Sequence, residues 1–484
     1  MRLTLRDVYA ALDYGSASGG ESVVFSGIST DTRSLQPGDL FVALMGPQTD
    51  GHQHIAAALR TGAAGLIVSQ PVVASPSIPV LRVPDTQVAY GLLARFWRDR
   101  FDIPVIGVTG SVGKTTVKEM LAAALSPLGS VLKTAASQNN ETGVPKALLQ
   151  LTPEHKAAVV EMGMRGPGQI AYLCGVANPT IGVLTVIADN HLELLGSLDA
   201  IADAKGELLE ALPEGGLAVL NAADPYLPRL QAKTAARVVT YGNAENAVQT
   251  EIGWKFAVGS VPGEIASASR HDISNALAAL AVAEALGVPL DAAAEALKAY
   301  TPPPMRMQIV KTEWGGIILN DAYNAAPASV ASALQTLASY EGGRKIAFLG
   351  DMRELGTRAE DAHRELGPII AALGGLDALY TVGDLAALIP NATQRFGDSD
   401  AAAEFARETL DLTAGDVILV KGSRAVAMEK IAAALEPTPV RSSPTLPKRE
   451  GEEVQSTASS RTLRPPASGG PLRGEERASK EVGS

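Results

Sequence analysis

Short, almost uninterrupted apolar runs recur along the chain at 103–109 (IPVIGVT), 157–163 (AAVVEMG), 180–187 (TIGVLTVI) and 216–222 (GLAVLNA). Each gives way to glycine or polar residues and then to a stretch with helical spacing. Apolar strands of this kind, alternating with helices, predict a parallel sheet covered on both faces. The helix HDISNALAALAVAEALG closes this block, and YTPPPMR at 300–306 breaks the pattern as a linker does. A second series of strands and helices follows, with GIILND, KIAFLGD, LYTVGD and DVILVKGS as its strands. Three of these end in Asp and the fourth in Lys-Gly-Ser, which predicts a site at the carboxyl edge of that sheet. Before residue 101 the pattern is mixed. DLFVALMG and AAGLIVS read as strands, and HIAAALRTGA and QVAYGLLARFWRDRF as helices.

The predicted architecture is therefore α/β in three domains. Residues 1–100 form a small mixed unit, 101–302 a central parallel-sheet unit, and 303–436 a Rossmann-like unit. Residues 437–484 are so rich in Pro, Ser, Arg, Glu and Gly that no core is expected there, and the tail is predicted to be disordered.

The first chemistry lies where the first central strand ends. Gly110, Ser111, Val112, Gly113, Lys114, Thr115 and Thr116 connect it to the helix TTVKEMLAAAL. Glycines let backbone N–H groups converge on phosphate oxygens, and a helix N-terminus adds its positive dipole end. Lys114 is placed to reach the outer phosphates of a nucleotide, and Thr115 to ligate Mg²⁺. The loop lacks the earlier glycine of the usual phosphate-binding pattern, because Val108 stands there. Glu161, at the end of the next strand, is placed to hold the metal directly or through water.

Read as a helix from about 198, the segment SLDAIADAKGELLEAL carries an apolar stripe of Ile201, Leu208, Leu209 and Leu212. Lys205 falls on that stripe, whereas the acids lie mostly elsewhere. A lysine aimed inward is paired, chemically altered, or snorkelling to an edge. With its pKa depressed by burial it could add CO₂ and become a metal-ligating carbamate. His191, just after a strand, is either a further metal ligand or a surface or capping histidine.

Composition narrows the classes. The formal charge of −11 disfavours nucleic acid or an anionic membrane as partner, and the single cysteine, Cys174, rules out an intrachain disulfide or a cysteine-based zinc site. Cys174 is expected to fill core. No apolar run is long enough to span a bilayer and the start lacks a signal-peptide core, so the expectation is a cytoplasmic protein without integral membrane association.

TGSVGKTT, NNETGVP, EMG, HLELLGS, AKGE, NAADP, HDISNA, RM, NDAYNAAP, GDMRELG and VKGSR, in this order, resemble the motifs of the Mur ligase family over roughly residues 1–435. The family's phosphate loop does not demand the earlier glycine, which accounts for Val108. The segment STDTRSLQPGDLFVALMGPQTDGHQHI looks like the family's UDP-binding unit. The resemblance implies ATP and Mg²⁺, two ions, as cofactors, held through Lys114, Thr115, Glu161 and His191, with Lys205 carbamylated. Lys114, Lys205, His191 and Arg306 would be catalytic. Asn275, Arg306 and Asp321 match residues that contact the adenine, phosphates or ribose. Thr30, Asp31, Arg33, Asp50 and Gly51 match the nucleotide-sugar motif, and Asn139 and Asn140 match positions near the muramoyl substrate. Tyr323 and Asn324 would help build the place where the incoming dipeptide meets ATP. The branch implied is the one that joins D-alanyl-D-alanine to UDP-N-acetylmuramoyl-tripeptide, as a monomer.

The residue types agree with that chemistry. A carboxylate does not condense with an amine in water, so it is first activated by phosphoryl transfer. Two anions must then approach each other, which needs Mg²⁺ and a lysine rather than a protein nucleophile. Ala326 and Asp272 stand where Asn is common in the family, and Asn190 stands where Ala is common. The branch that adds the preceding amino acid is disfavoured, because its Asp-Asn-Pro-Arg signature is absent. A folylpolyglutamate synthase would lack the UDP motif, and a phosphate-loop switch or motor would lack the third unit.

Overall fold

The computed structural model describes residues 1–13, 23–46, 49–188, 192–242, 244–250 and 252–436. The expected tail lies outside them.

Four parallel strands in sequence order, Ile28–Ser29, Leu40–Val42, Gly65–Val68 and Val80–Arg82, make the first sheet. The helix Thr86–Arg98 leads from it toward the central sheet. That helix is capped by Asp85, whose carboxylate accepts from the N–H groups of Gln87 and Val88.

The central sheet has six parallel strands in the order Arg237–Tyr241, Leu217–Asn221, Ile181–Leu184, Val105–Thr109, His155–Glu161 and Ser130–Lys133. The apolar runs read from the sequence form its middle, and Val105, Ile106, Val108 and Val183 are fully buried. The two edge strands were not anticipated. Arg237–Tyr241 and Ser130–Lys133 are half-exposed and mixed in polarity, so they lack the continuous apolar signal of the centre. An antiparallel sheet of Glu245–Thr250, Gly253–Val258 and Val261–Ile265 was likewise not foreseen.

The last sheet has the order Gln308–Lys311, Ile317–Asp321, Val417–Lys421, Lys345–Gly350, Ala378–Val382 and Gln394–Phe396. Only Gln308–Lys311 is antiparallel, pairing with Ile317–Asp321. The four strands predicted in this region are present, and two edge strands are added, Gln308–Lys311 and the short Gln394–Phe396 before the helix Ser399–Glu408.

One packing detail sets the site. Gly107 and Gly182 face each other in register on adjacent central strands. A Cβ on Gly107 would meet Leu208 Cδ1 at 2.7 Å, and one on Gly182 would meet Leu208 Cγ at 3.2 Å. The pair of glycines lets the helix Leu198–Glu210 settle against the sheet, bringing Lys205, one turn earlier on that helix, over the strand ends.

Candidate active site

The loop after Val105–Thr109 has the backbone that the glycines were expected to permit. Gly110 has φ +145° and Gly113 φ +86°, and Gly113 caps the helix Lys114–Ala124 with no side-chain cap. The helix's first N–H groups therefore have no intrahelical partner and face the loop's mouth. Neighbouring segments brace the loop. Ser111 Oγ donates to the Ala188 carbonyl at 2.9 Å, and Thr185 Oγ1 to that of Val112 at 2.5 Å. Thr115 and Thr116 are buried at the helix start.

Two lysine side chains share one carbonyl here. Lys114 Nζ donates to Gly110 O at 2.7 Å and Lys205 Nζ donates to the same oxygen at 3.0 Å. Lys205 is 2% exposed and forms no ion pair among the described residues. Burial, then the charge of Lys114, pushes its pKa well below the ordinary lysine value. Burial also lowers Lys114, with Arg306 adding to the effect and Glu161 opposing it. The inward lysine read from helical spacing is thus inward, and it does not snorkel.

Glu161 is 1% exposed. Its Oε1 accepts from Asn139 Nδ2 at 2.8 Å, while Oε2 is buried with no hydrogen-bond partner. A buried carboxylate oxygen without a donor is a fit for a cation. Among the described residues no group of three or more His, Cys, Asp or Glu side chains gathers as a metal site, here or elsewhere. His191 lies outside the described residues.

Asn140 Oδ1 accepts from Gly143 N at 2.9 Å and so ties down the start of the helix Gly143–Leu148. Arg306 reaches across from the linker. Its guanidinium sits 4.0 Å from the Tyr323 ring centroid and donates to Ser137 Oγ at 3.2 Å. Met305 and Met307, on either side, have φ of +61° and +47°, an uncommon backbone for non-glycine residues, and this crimp directs Arg306.

Asn275 donates to Asp272 Oδ1 at 2.7 Å, and a Cβ on Gly113 would meet Asn275 Oδ1 at 2.8 Å. Asp272 also accepts from Ser267 Oγ at 2.5 Å, and burial raises its pKa. Asp321 Oδ2 accepts from Lys421 Nζ at 2.6 Å and its Oδ1 from Met307 N at 3.1 Å. The same lysine donates to the carbonyl of exposed Asn324 at 2.9 Å.

In the first sheet, Arg33 grips Asp31 with Nε at 2.9 Å and Nη2 at 2.6 Å, and this holds the Asp31 carboxyl at about 2. Lys146, on the helix after Asn140, adds a smaller lowering, which links this motif to the central site. Thr30 is half-buried beside it. Asp50 Oδ1 accepts from His52 N at 2.9 Å and Nδ1 at 2.6 Å. His52 Nε2 in turn accepts from Ser69 N at 2.9 Å. Gly51 donates to Leu44 O at 2.7 Å, so close that a Cβ there would meet Leu44 N at 2.8 Å.

Lys114, Lys205 and the loop thus converge, as do Glu161 with Asn139 and Arg306 with Tyr323. His52 and Lys421 escaped the sequence reading. HQH and VKGS were visible as motifs, but only tertiary pairing shows what their side chains hold.

Successive segments match three family models. They are the Mur ligase family catalytic domain at residues 24–98, the Mur ligase middle domain at 108–283, and the Mur ligase glutamate ligase domain at 305–424. A relative from Synechocystis sp., named UDP-N-acetylmuramoyl-tripeptide--D-alanyl-D-alanine ligase, is 40% identical over 425 residues, covering 86% of this chain and 93% of its own. A crystal structure of MurF from Acinetobacter baumannii superposes with TM-score 0.81 at 30% identity, over 90% of this chain and 99% of that one. The MurF ligase from Thermotoga maritima, solved with ADP, superposes with TM-score 0.76 at 28% identity, over 84% and 96%. With its phosphate loop, its inward lysine and these likenesses along most of its length, the chain belongs to the Mur ligase family.

Proposed function

We propose that this chain is an ATP-dependent ligase. It joins D-alanyl-D-alanine to UDP-N-acetylmuramoyl-tripeptide and yields the pentapeptide precursor of peptidoglycan, ADP and phosphate. The observation that carries the reading is the convergence of Lys114 and Lys205 on Gly110 O inside a glycine-lined phosphate cradle, in a chain 40% identical to a ligase of that name.

The loop N–H groups and Lys114 hold and neutralise the phosphates of ATP, and Arg306 approaches from the linker to add a second cation. The tripeptide carboxylate takes the terminal phosphoryl group, and the dipeptide amine then displaces phosphate from the activated carbonyl. Asp31, Arg33, Asp50 and Gly51, with Thr30, form the nucleotide-sugar end. Asn139 and Asn140 line the approach of the muramoyl peptide, and Tyr323 and Asn324 border the dipeptide. Asn275 and Asp321 serve the nucleoside side.

Mg²⁺, two ions, would fit Thr115 and the Glu161 oxygen that lacks a hydrogen-bond donor, with His191 and a modified Lys205 as further ligands. Mg²⁺ supplies charge neutralisation between the reacting anions. In the modification, the neutral Lys205 amine adds to CO₂, forming an N–C bond and losing one proton, which leaves an anionic carbamate. Crowding by Lys114 and by burial favours the neutral amine that starts this reaction. A protein working on ATP and a UDP-linked precursor belongs in the cytoplasm, and no described helix is long and apolar enough to cross a membrane. One chain contains every group named here, which favours a monomer.

The test is incubation with ATP, Mg²⁺, UDP-N-acetylmuramoyl-tripeptide and D-alanyl-D-alanine, followed by product mass and phosphate release. The expected product gains the dipeptide, and phosphate appears only with both acceptor and donor present. Phosphate release without product, or product with another amine, overturns the reading.

A further inference from the structure

Lys118 is fully buried beside Glu161, yet it contacts neither the phosphate loop nor Lys205 through a hydrogen bond. It lies one turn after Lys114 on the same helix. Its Nζ donates to Ala136 O at 2.5 Å, and it stands 3.1 Å from Glu119 Oε1 and 3.7 Å from Glu161 Oε2. Glu119 also pairs with Lys133, so Lys118 is not needed to neutralise it.

Ala136 is the unusual partner. Its φ is +45°, although it is an exposed alanine and not a glycine. A non-glycine residue in the left-handed region needs the surroundings to impose it. The following residues are the ones the site depends on. Asn139 N donates to Ser137 O at 2.9 Å in the same tight turn, Ser137 Oγ receives Arg306, and Asn139 Nδ2 holds Glu161.

We propose that Lys118 is a positioning residue that clamps the Ala136 carbonyl from beneath, keeping the 135–140 turn in the shape that presents Asn139 to the muramoyl substrate and to Glu161. One ammonium thus links the back of the phosphate-loop helix to the peptide-substrate turn. The identity of that substrate rests on the function proposed above; the clamp itself does not.

The test compares Lys118→Met, Ala136→Val, and Lys118→Met combined with Ala136→Gly, all in the full chain. Lys118→Met is expected to raise KM for UDP-N-acetylmuramoyl-tripeptide, and the Mg²⁺ concentration for half-maximal rate, on the order of tenfold, with KM for ATP little changed. Direct Mg²⁺ binding by calorimetry should weaken in parallel. Adding Ala136→Gly should recover most of the muramoyl KM, because glycine adopts positive φ without a clamp. Ala136→Val, with an intact lysine but a β-branched residue at positive φ, should show the same selective rise in KM and covers the case of a poorly folding Lys118→Met. Equal losses for ATP and muramoyl substrate, or no recovery from Ala136→Gly, would make Lys118 a core ion only and overturn the clamp. Should the wild-type chain form no pentapeptide, the function proposed above fails instead, and the Mg²⁺ titration still reads the clamp.

Discussion

The carboxyl edges of the two six-stranded sheets handle charge in opposite ways. At the central sheet, Lys114 and Lys205 crowd one carbonyl and Glu161 keeps a buried oxygen without a donor. At the last sheet, two of the three strand-end aspartates are matched by nearby donors. Lys421 pairs with Asp321 at 2.6 Å, and Asp351 accepts from Ala386 N at 2.8 Å and from Arg353 at 2.7 Å. The first edge keeps polar groups without a full set of partners, which is what the phosphate and metal binding proposed above would need. The second pairs its own charges beside Tyr323 and Asn324, the residues proposed above to border the dipeptide. Charge removal should therefore harm function at one edge and stability at the other.

The largest effect is expected for Lys114→Ala. Ligation should fall at least about 10²-fold, as when a group holding transition-state charge is lost, while the melting temperature stays level or rises because a half-buried cation crowded against Lys205 has gone. Steady-state phosphate release beside thermal melting checks both halves, and near-normal turnover would remove the phosphate-cradle assignment.

Lys205 sharpens the contrast. Lys205→Ala should be nearly inactive, with partial recovery in acetate, which can take the carbamate's place. Lys205→Arg should stay inactive, since arginine remains charged and forms no adduct. A carbon-13 NMR signal from labelled bicarbonate should appear in the wild type and vanish in both variants. An active Lys205→Arg enzyme would reduce the residue to a positive charge.

At the other edge, Lys421→Met leaves Asp321 with a single backbone donor. Stability should drop by on the order of 3 kcal/mol, the usual result of breaking a buried pair from one side, read as a shift in the urea midpoint. A Lys421→Met chain as stable as wild type would show that the second edge is not self-satisfied.

The smallest effect concerns His363, fully buried behind that edge. Its Nε2 accepts from Met352 N at 2.9 Å and its Nδ1 donates to Ala359 O at 2.6 Å. Burial lowers its pKa below the ordinary 6.5. The unfolded chain then binds the proton more readily, so the contribution is complete above about pH 6.5 and is lost as pH falls from there through the folded value. The wild-type melting temperature should decline more steeply below pH 6.5 than that of His363→Gln, a difference on the order of 1 kcal/mol. Parallel profiles would exclude the histidine as the source.

Local signals made much of this legible from sequence. The phosphate loop is contiguous, so its glycines, Lys114 and Thr115 could be read in one stretch. The helical period put Lys205 on the apolar stripe but left open whether it snorkels to an edge, which its 2% exposure decides. The buried central strands were visible because both of their faces are apolar. Their half-exposed edge partners and the 245–265 hairpins were not, because mixed polarity erases that signal.

Other features needed the tertiary structure. Lys118 sits between Val117 and Glu119 and reads as an ordinary surface lysine until the strand His155–Glu161 and the 135–140 turn close over it. Arg306 and Ser137 are 169 residues apart, and Lys421 and Asp321 are 100 apart. Lys421 and Asp321 meet because their parallel strands pair in one register after a long crossover, and a one-residue slip would turn each side chain to the other face. Arg306 and Ser137, by contrast, meet only where two loops from different sheets approach. Sequence alone determined which residues could carry phosphate and acyl-transfer chemistry and which stretches would be buried. Strand order, the Gly107–Gly182 register and the closing of distant loops decided which of those charges find partners and which are left for ligands.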